Sequence, residues 1–179
     1  MADSDSWILN RESSGDWGTM GANELSMQLW RERELLEMLL FKLDEQQLLL
    51  ATGRSRWIDF ATREIEQVLE RLRSTGMARV VESDIVALEW GAPEGATIRE
   101  LVAHAPQATW RDVFDDHLRA LTRLTGEIGQ LRDVNDQQLR TALRATQETI
   151  ADLSGDTGEY TTTGDRARTD AARIIDTEM

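Results

Sequence analysis

The sequence has no cysteine, few prolines and aromatic residues, and no long apolar run. Without cysteine the chain forms no disulfide bond and offers neither a thiolate metal ligand nor a cysteine nucleophile, which suits a reducing compartment. Aromatic residues make up only 6% of the 179 residues and β-branched runs are scarce, which argues against a β-sheet protein. The apolar runs are too short to cross a membrane, and the N-terminus lacks the basic and apolar regions of a signal peptide. We therefore expect an all-α, cytoplasmic protein without membrane insertion.

The charge of the chain restricts its partners. The formal net charge is −13, and no stretch of the sequence gathers basic residues into a patch. Nucleic acids and anionic membranes attract basic surfaces, so neither is expected as a partner.

The strongest pattern lies in residues 25–50, where leucine recurs every seven residues at Leu29, Leu36, Leu43 and Leu50. Such a repeat drifts only slightly around a helix and forms a continuous apolar stripe. We predict a first helix that begins after Asn23 as its N-cap and ends near Thr52 and Gly53. The following link is so short that the next helix must fold back antiparallel to the first.

A second long helix is predicted over residues 55–90. Its apolar stripe contains Ile58, Ala61, Ile65, Val68 and Leu72, at alternating spacings of three and four. Gly76 interrupts the pattern, which then resumes with Val80, Val81, Ile85, Leu88 and Trp90. We predict one helix with a weak point at Gly76, the alternative being a break into two helices there.

Two further helices are predicted after the turn at residues 90–95. Thr97 and Glu100 have the spacing of a capping box, so a short helix should cover about 98–104 and end before Pro106. Thr109 has the position of a second N-cap, and the last helix should run to about residue 153 and span roughly 65 Å. It carries polar residues, Asn135 and Gln138, at positions that face the core.

The predicted domain organisation follows from these elements. Residues 1–22 are a disordered leader in which Trp7, Ile8 and Leu9 are either incidental or a short docking motif. Residues 23–154 form the helical domain, and residues 155–179 are a mostly disordered tail. The fold class is all-α: an antiparallel helical hairpin plus one long C-terminal helix, in a coiled-coil-like bundle with flexible tails.

Motifs for catalysis are missing from the sequence. The two histidines, His104 and His117, are thirteen residues apart, and neither belongs to a metal-binding motif. Glu100 and His104 could meet on one helix face, but two ligands do not make a metal site. His117 is expected to be a partly buried packing residue. Since phosphate-binding glycine loops and nucleophile elbows are also missing, we expect no enzyme activity, no catalytic residue, no metal and no cofactor.

The end of the last helix is the candidate binding surface. Leu139, Leu143, Ile150 and Leu153 lie on one face of the predicted helix, and we call these four residues the C-terminal stripe. One interpretation is that the stripe binds a helix of another protein. The other is that it packs along the far end of the same bundle or across a homodimer. The sequence favours neither.

Part of the chain resembles a known family. The run from Leu29 to Leu43 (LWRERELLEMLLFKL), the following Gln46–Arg54 and Trp57 are similar to the FlgN family of flagellar export chaperones, in particular actinobacterial members. The loop at residues 91–95, the segment 98–101 and Pro106 are similar as well, as are Tyr160 and Gly164 beyond the last helix. The resemblance covers about residues 24–164.

The resemblance implies a function. Family members are cytoplasmic chaperones that bind the C-terminal helical segments of hook–filament junction (hook-associated) proteins and hand them to the export gate. Their C-terminal helical region binds the substrate, which by position implies the C-terminal stripe here. The alternative hypothesis is a self-associating coiled-coil protein of a bacterial assembly. A ferritin-like metalloenzyme is disfavoured because the ligands are missing.

Overall fold

The computed structural model describes the backbone of residues 9–156 and the side chains of residues 20–154. Every regular element in these residues is a helix, so the predicted all-α class is confirmed. The elements in chain order are α1 (Leu9–Ala51), a short 3-10 turn (Ser55–Trp57), α2 (Ile58–Trp90), α3 (Ile98–His104) and α4 (Ala108–Asp156).

Helix α1 begins earlier than the sequence indicated. Because it starts at Leu9, Asn23 lies inside the helix and is not its N-cap, so that prediction is wrong. The predicted boundary between leader and domain also falls within packed helix, since Ala22 is fully buried in the core. The disordered leader remains a prediction for residues 1–8, and the disordered tail for residues 157–179, because both stretches lie outside the described residues.

Both long helices of the hairpin end at a glycine with a left-handed backbone. Gly53 has φ +65°, and the amide of Arg54 donates to the carbonyl of Leu49 (2.9 Å) while that of Gly53 donates to Leu50 (3.1 Å). This pair of bonds is the Schellman motif, which satisfies the last carbonyls and turns the chain. Gly91, at φ 66°, ends α2 with the corresponding bond from Ala92 to Ala87 (2.8 Å). Glycine suits both positions because it adopts positive φ without steric cost.

Helices α1 and α2 form the predicted antiparallel hairpin. Their side-chain contacts join positions that rise along one helix and fall along the other: Glu32 with Arg79 (2.7 Å), Lys42 with Glu64 (2.9 Å) and Gln46 with Thr62 (3.1 Å). Helix α2 is continuous through Gly76, as predicted.

The predicted core face of α2 is correct only before Gly76. Ala61, Ile65 and Val68 are buried there. Beyond Gly76 the buried residues are Ser83, Val86 and Ala87, whereas the predicted Val80, Val81, Ile85 and Leu88 are 43–86% exposed. The prediction is therefore wrong for these four residues, whereas Trp90, which was predicted with them, packs against a buried hydrophobic cluster. The spacing of three and four that runs from Ile58 to Leu72 continues to Ser83 and Val86, so the core face stays the same and the exposed hydrophobic residues lie off it.

Helix α3 begins with the predicted capping box. The Thr97 hydroxyl accepts from the amide of Glu100 (3.3 Å), and the Glu100 carboxylate accepts from the Thr97 amide (2.7 Å). The predicted cap at Thr109 is wrong, because α4 begins at Ala108 and the amide of Arg111 already bonds the carbonyl of Gln107 (3.2 Å).

The first part of α4 lies parallel to α1. His117 contacts Ser26 (3.2 Å) and Asn135 contacts the carbonyl of Leu43 (2.8 Å). The residue numbers of the two partners differ by 91 and 92, as expected for helices that run in the same direction. Two hydrophobic clusters fill the bundle. One gathers α1, α2, α3 and α4 around the fully buried Leu25, Leu29, Leu101 and Phe114, and the other gathers Leu35, Leu39, Leu43, Ile65 and Val68.

The chain divides into two compact units, Met1–Gln138 and Leu139–Met179, and the boundary between them falls within α4. All four residues of the C-terminal stripe belong to the second unit.

Candidate partner-binding surface

The C-terminal stripe is largely in solvent. Leu143 is 60% exposed, Ile150 57% and Leu153 66%, while Leu139 is half-buried. Every side chain from residue 140 to residue 154 is exposed. Large aliphatic side chains that recur on one helix face in water provide a surface for another helix.

The stripe is longer and more regular than its four residues suggest. Thr146 lies between Leu143 and Ile150 and completes an unbroken spacing of four, three, four and three. Its hydroxyl donates to the carbonyl of Ala142 at 2.9 Å, so the hydroxyl is satisfied within the helix. Sequence reasoning missed Thr146 because it counted only aliphatic residues, although the heptad spacing was the signal that could have identified it.

Charges on the other faces of this segment are balanced. Arg140 and Arg144 lie near its start, and Glu148 and Asp152 lie near its end. The segment 139–154 is therefore formally neutral and has an electrical polarity along its axis. A partner helix with the opposite order of charges would be favoured, since complementary charges set orientation more than affinity.

In the first unit, α4 uses the same kind of spacing to form core. Phe114 is fully buried, Leu124 is 1% exposed, and the intervening His117 is 2% exposed. The imidazole Nε2 lies 3.2 Å from the Ser26 hydroxyl, and Trp30 packs edge-on against the ring at 5.4 Å between centroids. Burial lowers the pKa of His117, and the nearby Arg33 guanidinium lowers it further, while Asp116 opposes both. The predicted packing role of His117 is confirmed.

Asn135 is polar and buried, as its position in the pattern predicted. Its side-chain amide donates to the carbonyl of Leu43 (2.8 Å) and to Gln46 Oε1 (3.2 Å), and Gln46 in turn donates to the Thr62 hydroxyl (3.1 Å). The network joins α4, α1 and α2 at one level of the bundle. Because a shifted helix would leave these groups unpaired, the network fixes the register of α4 against the hairpin.

Groups that could hold a metal do not converge in the part of the chain that the structure describes. No three His, Asp or Glu side chains are close enough there to bind one ion. The Glu100 carboxylate accepts hydrogen bonds from Thr97, which lower the pKa of Glu100, and His104 Nδ1 lies 2.9 Å from the backbone carbonyl of Glu100 rather than from its carboxylate. Glu100 and His104 therefore serve the N-terminal cap and the backbone of α3, and they do not form a pair of metal ligands.

Across the described helices, none is long and apolar enough to pass through a membrane.

The fold and the exposed stripe together define a class: an all-α bundle protein that presents an amphipathic helix to solvent. Comparison with family models identifies the family, because the model described as FlgN protein matches residues 20–168. The match covers most of the chain, and the chain belongs to the FlgN family of flagellar export chaperones, which is not an enzyme family. Comparisons with curated proteins and with solved structures give no match.

Proposed function

We propose that this protein is a cytoplasmic chaperone for hook–filament junction (hook-associated) proteins and that its C-terminal stripe binds their C-terminal helical segments. The FlgN family binds flagellar export substrates, which supports a flagellar protein as the partner. The observation that carries the proposal is the exposure of Leu143, Ile150 and Leu153 on one face of α4.

The binding free energy that the C-terminal stripe can supply suits reversible binding of a client helix. Complete burial of a Leu or Ile side chain is worth about 1.5–3 kcal/mol. The three most exposed residues of the stripe are 57–66% exposed, so a client helix would gain more than half of that amount at each. Exchange of one amphipathic helix for another requires no nucleotide and no cofactor, because the bound and free states differ only in which apolar surfaces meet.

A binding experiment with paired variants tests the proposal. The full chain is mixed with purified hook-associated proteins and the complex is resolved by size-exclusion chromatography. Leu143→Asp with Ile150→Asp should abolish the complex. Ala145→Asp with Ala151→Asp adds the same two charges to exposed positions away from the stripe and should preserve it. Equal loss of binding in both double variants, or in neither, would refute the stripe as the client site.

Sedimentation of the wild-type chain separates the chaperone from the alternative, a self-associating coiled coil. A chaperone should sediment as a species that the Asp substitutions in the stripe leave unchanged. A concentration-independent dimer that Leu143→Asp with Ile150→Asp dissociates would identify the stripe as a homodimer interface and favour a structural role.

A further inference from the structure

A second apolar surface lies on α2, within the first unit of the chain. Met77, Val80, Val81, Ile85 and Leu88 are 43–86% exposed, and Leu88 is the most exposed large hydrophobic residue of the described part. We call these five residues the outer stripe of α2. Their spacing of three and four places them on consecutive turns over roughly 16 Å of helix, on the face opposite the buried Ser83 and Val86.

Core packing does not account for the outer stripe. The buried face of this half of α2 is complete with Ser83, Val86 and Ala87, and Val86 and Ala87 belong to the first hydrophobic cluster. Single exposed hydrophobic residues are common on protein surfaces, but a contiguous apolar face marks an interaction site. The helix is therefore apolar on two opposite sides, one for the bundle and one for solvent.

The charges around the outer stripe identify the partner that suits it. Residues 77–90 contain three carboxylates, Glu82, Asp84 and Glu89, and a single cation, Arg79. The Arg79 guanidinium forms an ion pair with Glu32 of α1 at 2.7 Å, and its side chain is only 30% exposed. Among the described residues, the three carboxylates have no ion pair. Asp84 lies within the outer stripe, one turn from Val80 and one turn from Leu88, and Glu82 lies beside the stripe, whereas the Glu89 carboxylate lies against Gly21 of α1. The surface thus combines exposed apolar side chains with the uncompensated negative charge of Glu82 and Asp84.

The C-terminal end of α2 adds further negative charge near the outer stripe. The last carbonyls of a helix carry partial negative charge, and α2 ends at Trp90, two residues beyond Leu88. A second copy of this chain would bring the same acidic residues together, and the whole chain has a net charge of −13. Like charges placed across an interface are destabilising, so self-association through this face is disfavoured.

We propose that the outer stripe of α2 is a second docking surface, separate from the client stripe on α4, and that its occupant is an amphipathic helix of a partner protein whose apolar face is flanked by Lys or Arg. The apolar residues of the outer stripe supply the binding surface, and Glu82 and Asp84 select for a basic helix and steer its approach. The two surfaces lie on different helices and in different units of the chain. The proposal does not depend on the identity of the client.

Two synthetic helical peptides with one shared leucine face provide the test. The first carries Lys at the flanking positions and the second carries Glu, and each bears a fluorophore for anisotropy titration against the full chain. The Lys-flanked peptide should bind at least about tenfold more tightly than the Glu-flanked one. Val81→Ser with Leu88→Ser should weaken its binding by about tenfold or more, and Leu143→Ser with Ile150→Ser should leave it unchanged.

Charge reversal controls for non-specific attraction to an acidic protein. Glu82→Lys with Asp84→Lys should invert the preference between the two peptides, whereas Glu37→Lys with Glu66→Lys makes the same change in net charge at remote exposed positions and should not. Circular dichroism of each variant establishes that it is folded. The proposal would be overturned by equal affinity for both peptides or by equal effects of the two charge reversals. It would also be overturned if only the α4 variant lost binding, or if the wild-type chain formed a dimer that Val81→Ser with Leu88→Ser dissociates.

Discussion

Helix α4 contains two segments of the same periodicity with opposite exposure. Between residues 114 and 135 the residues at core spacing are at most partly exposed, with Phe114 at 0% and Leu124 at 1%. Beyond residue 140 the aliphatic residues of the same spacing, Leu143, Ile150 and Leu153, are 57–66% exposed. A spacing of three and four residues therefore defines a face of the helix but not what covers it. Burial distinguishes a stripe that stabilises the fold from one that is available to a partner.

Truncation of Leu43 and of Leu143 tests the difference between the buried and the exposed stripe most clearly. Leu43→Ala should have the larger effect on stability. Leu43 is 5% exposed in the second hydrophobic cluster. Leu43→Ala should lower the free energy of unfolding by about 2–5 kcal/mol, because it removes buried methyl groups and leaves a cavity. Urea denaturation followed by circular dichroism measures the change. A loss below about 0.5 kcal/mol would show that this level of the bundle is not close-packed.

Asn135 gives the next largest effect. Asn135→Ala leaves Gln46 Oε1 without this donor and removes the second hydrogen bond to the Leu43 carbonyl, which keeps its bond within α1, so we expect a loss of about 1–3 kcal/mol. Asn135→Leu should show whether the network also sets the register. A leucine variant that is equally stable but has broader amide NMR signals would indicate lost specificity, whereas unchanged signals would contradict a role in register.

Substitution of His117 should have a smaller effect on stability, and one that depends on pH. Its pKa in the folded chain is lowered by burial and by Arg33, so protonation favours the unfolded state. The associated stability is complete above the unfolded-state pKa of about 6.5 and is lost as the pH falls toward the lower folded-state value. Melting temperatures of wild type and His117→Gln, measured from pH 8 to pH 5 (about one to two units on either side of that value), should show a steeper decline for wild type below about pH 6.5. Parallel declines would contradict the assignment.

Leu143→Ala gives the smallest effect on stability. Since Leu143 is 60% exposed, its truncation should change the free energy of unfolding by no more than about 0.5 kcal/mol. The same denaturation assay used for Leu43→Ala measures it. A loss comparable to that of Leu43→Ala would show that the C-terminal stripe belongs to the core and is not a binding surface.

Local chemistry made much of this fold predictable. The leucine repeat, the Gly53 and Gly91 stops and the Thr97 capping box each depend on neighbouring residues, and the hairpin follows from the shortness of its link. The buried positions of Asn135 and His117 also followed from spacing, although their partners did not. Which groups satisfy a buried amide is decided by residues about ninety positions away, which periodicity along one helix does not reveal.

The errors share a physical origin. The three-and-four spacing of the α2 stripe continues beyond Gly76 to the buried Ser83 and Val86, whereas hydrophobicity alone assigned Val81, Ile85 and Leu88 to the core. The start of α1 was misplaced because a polar, glycine-containing stretch has low helix propensity, although helix α1 continues through it from Leu9. For the candidate site, the sequence identified the helix face, whereas its exposure required the structure.

The measurement that tests the central claim most directly is a calorimetric titration of the full chain with the C-terminal helical segment of a hook-associated protein. Wild type and Ala145→Asp with Ala151→Asp should bind it with the same affinity, and Leu143→Asp with Ile150→Asp should show no binding heat. Unchanged affinity in that last variant, with its fold intact by circular dichroism, would contradict the assignment of the C-terminal stripe as the client site.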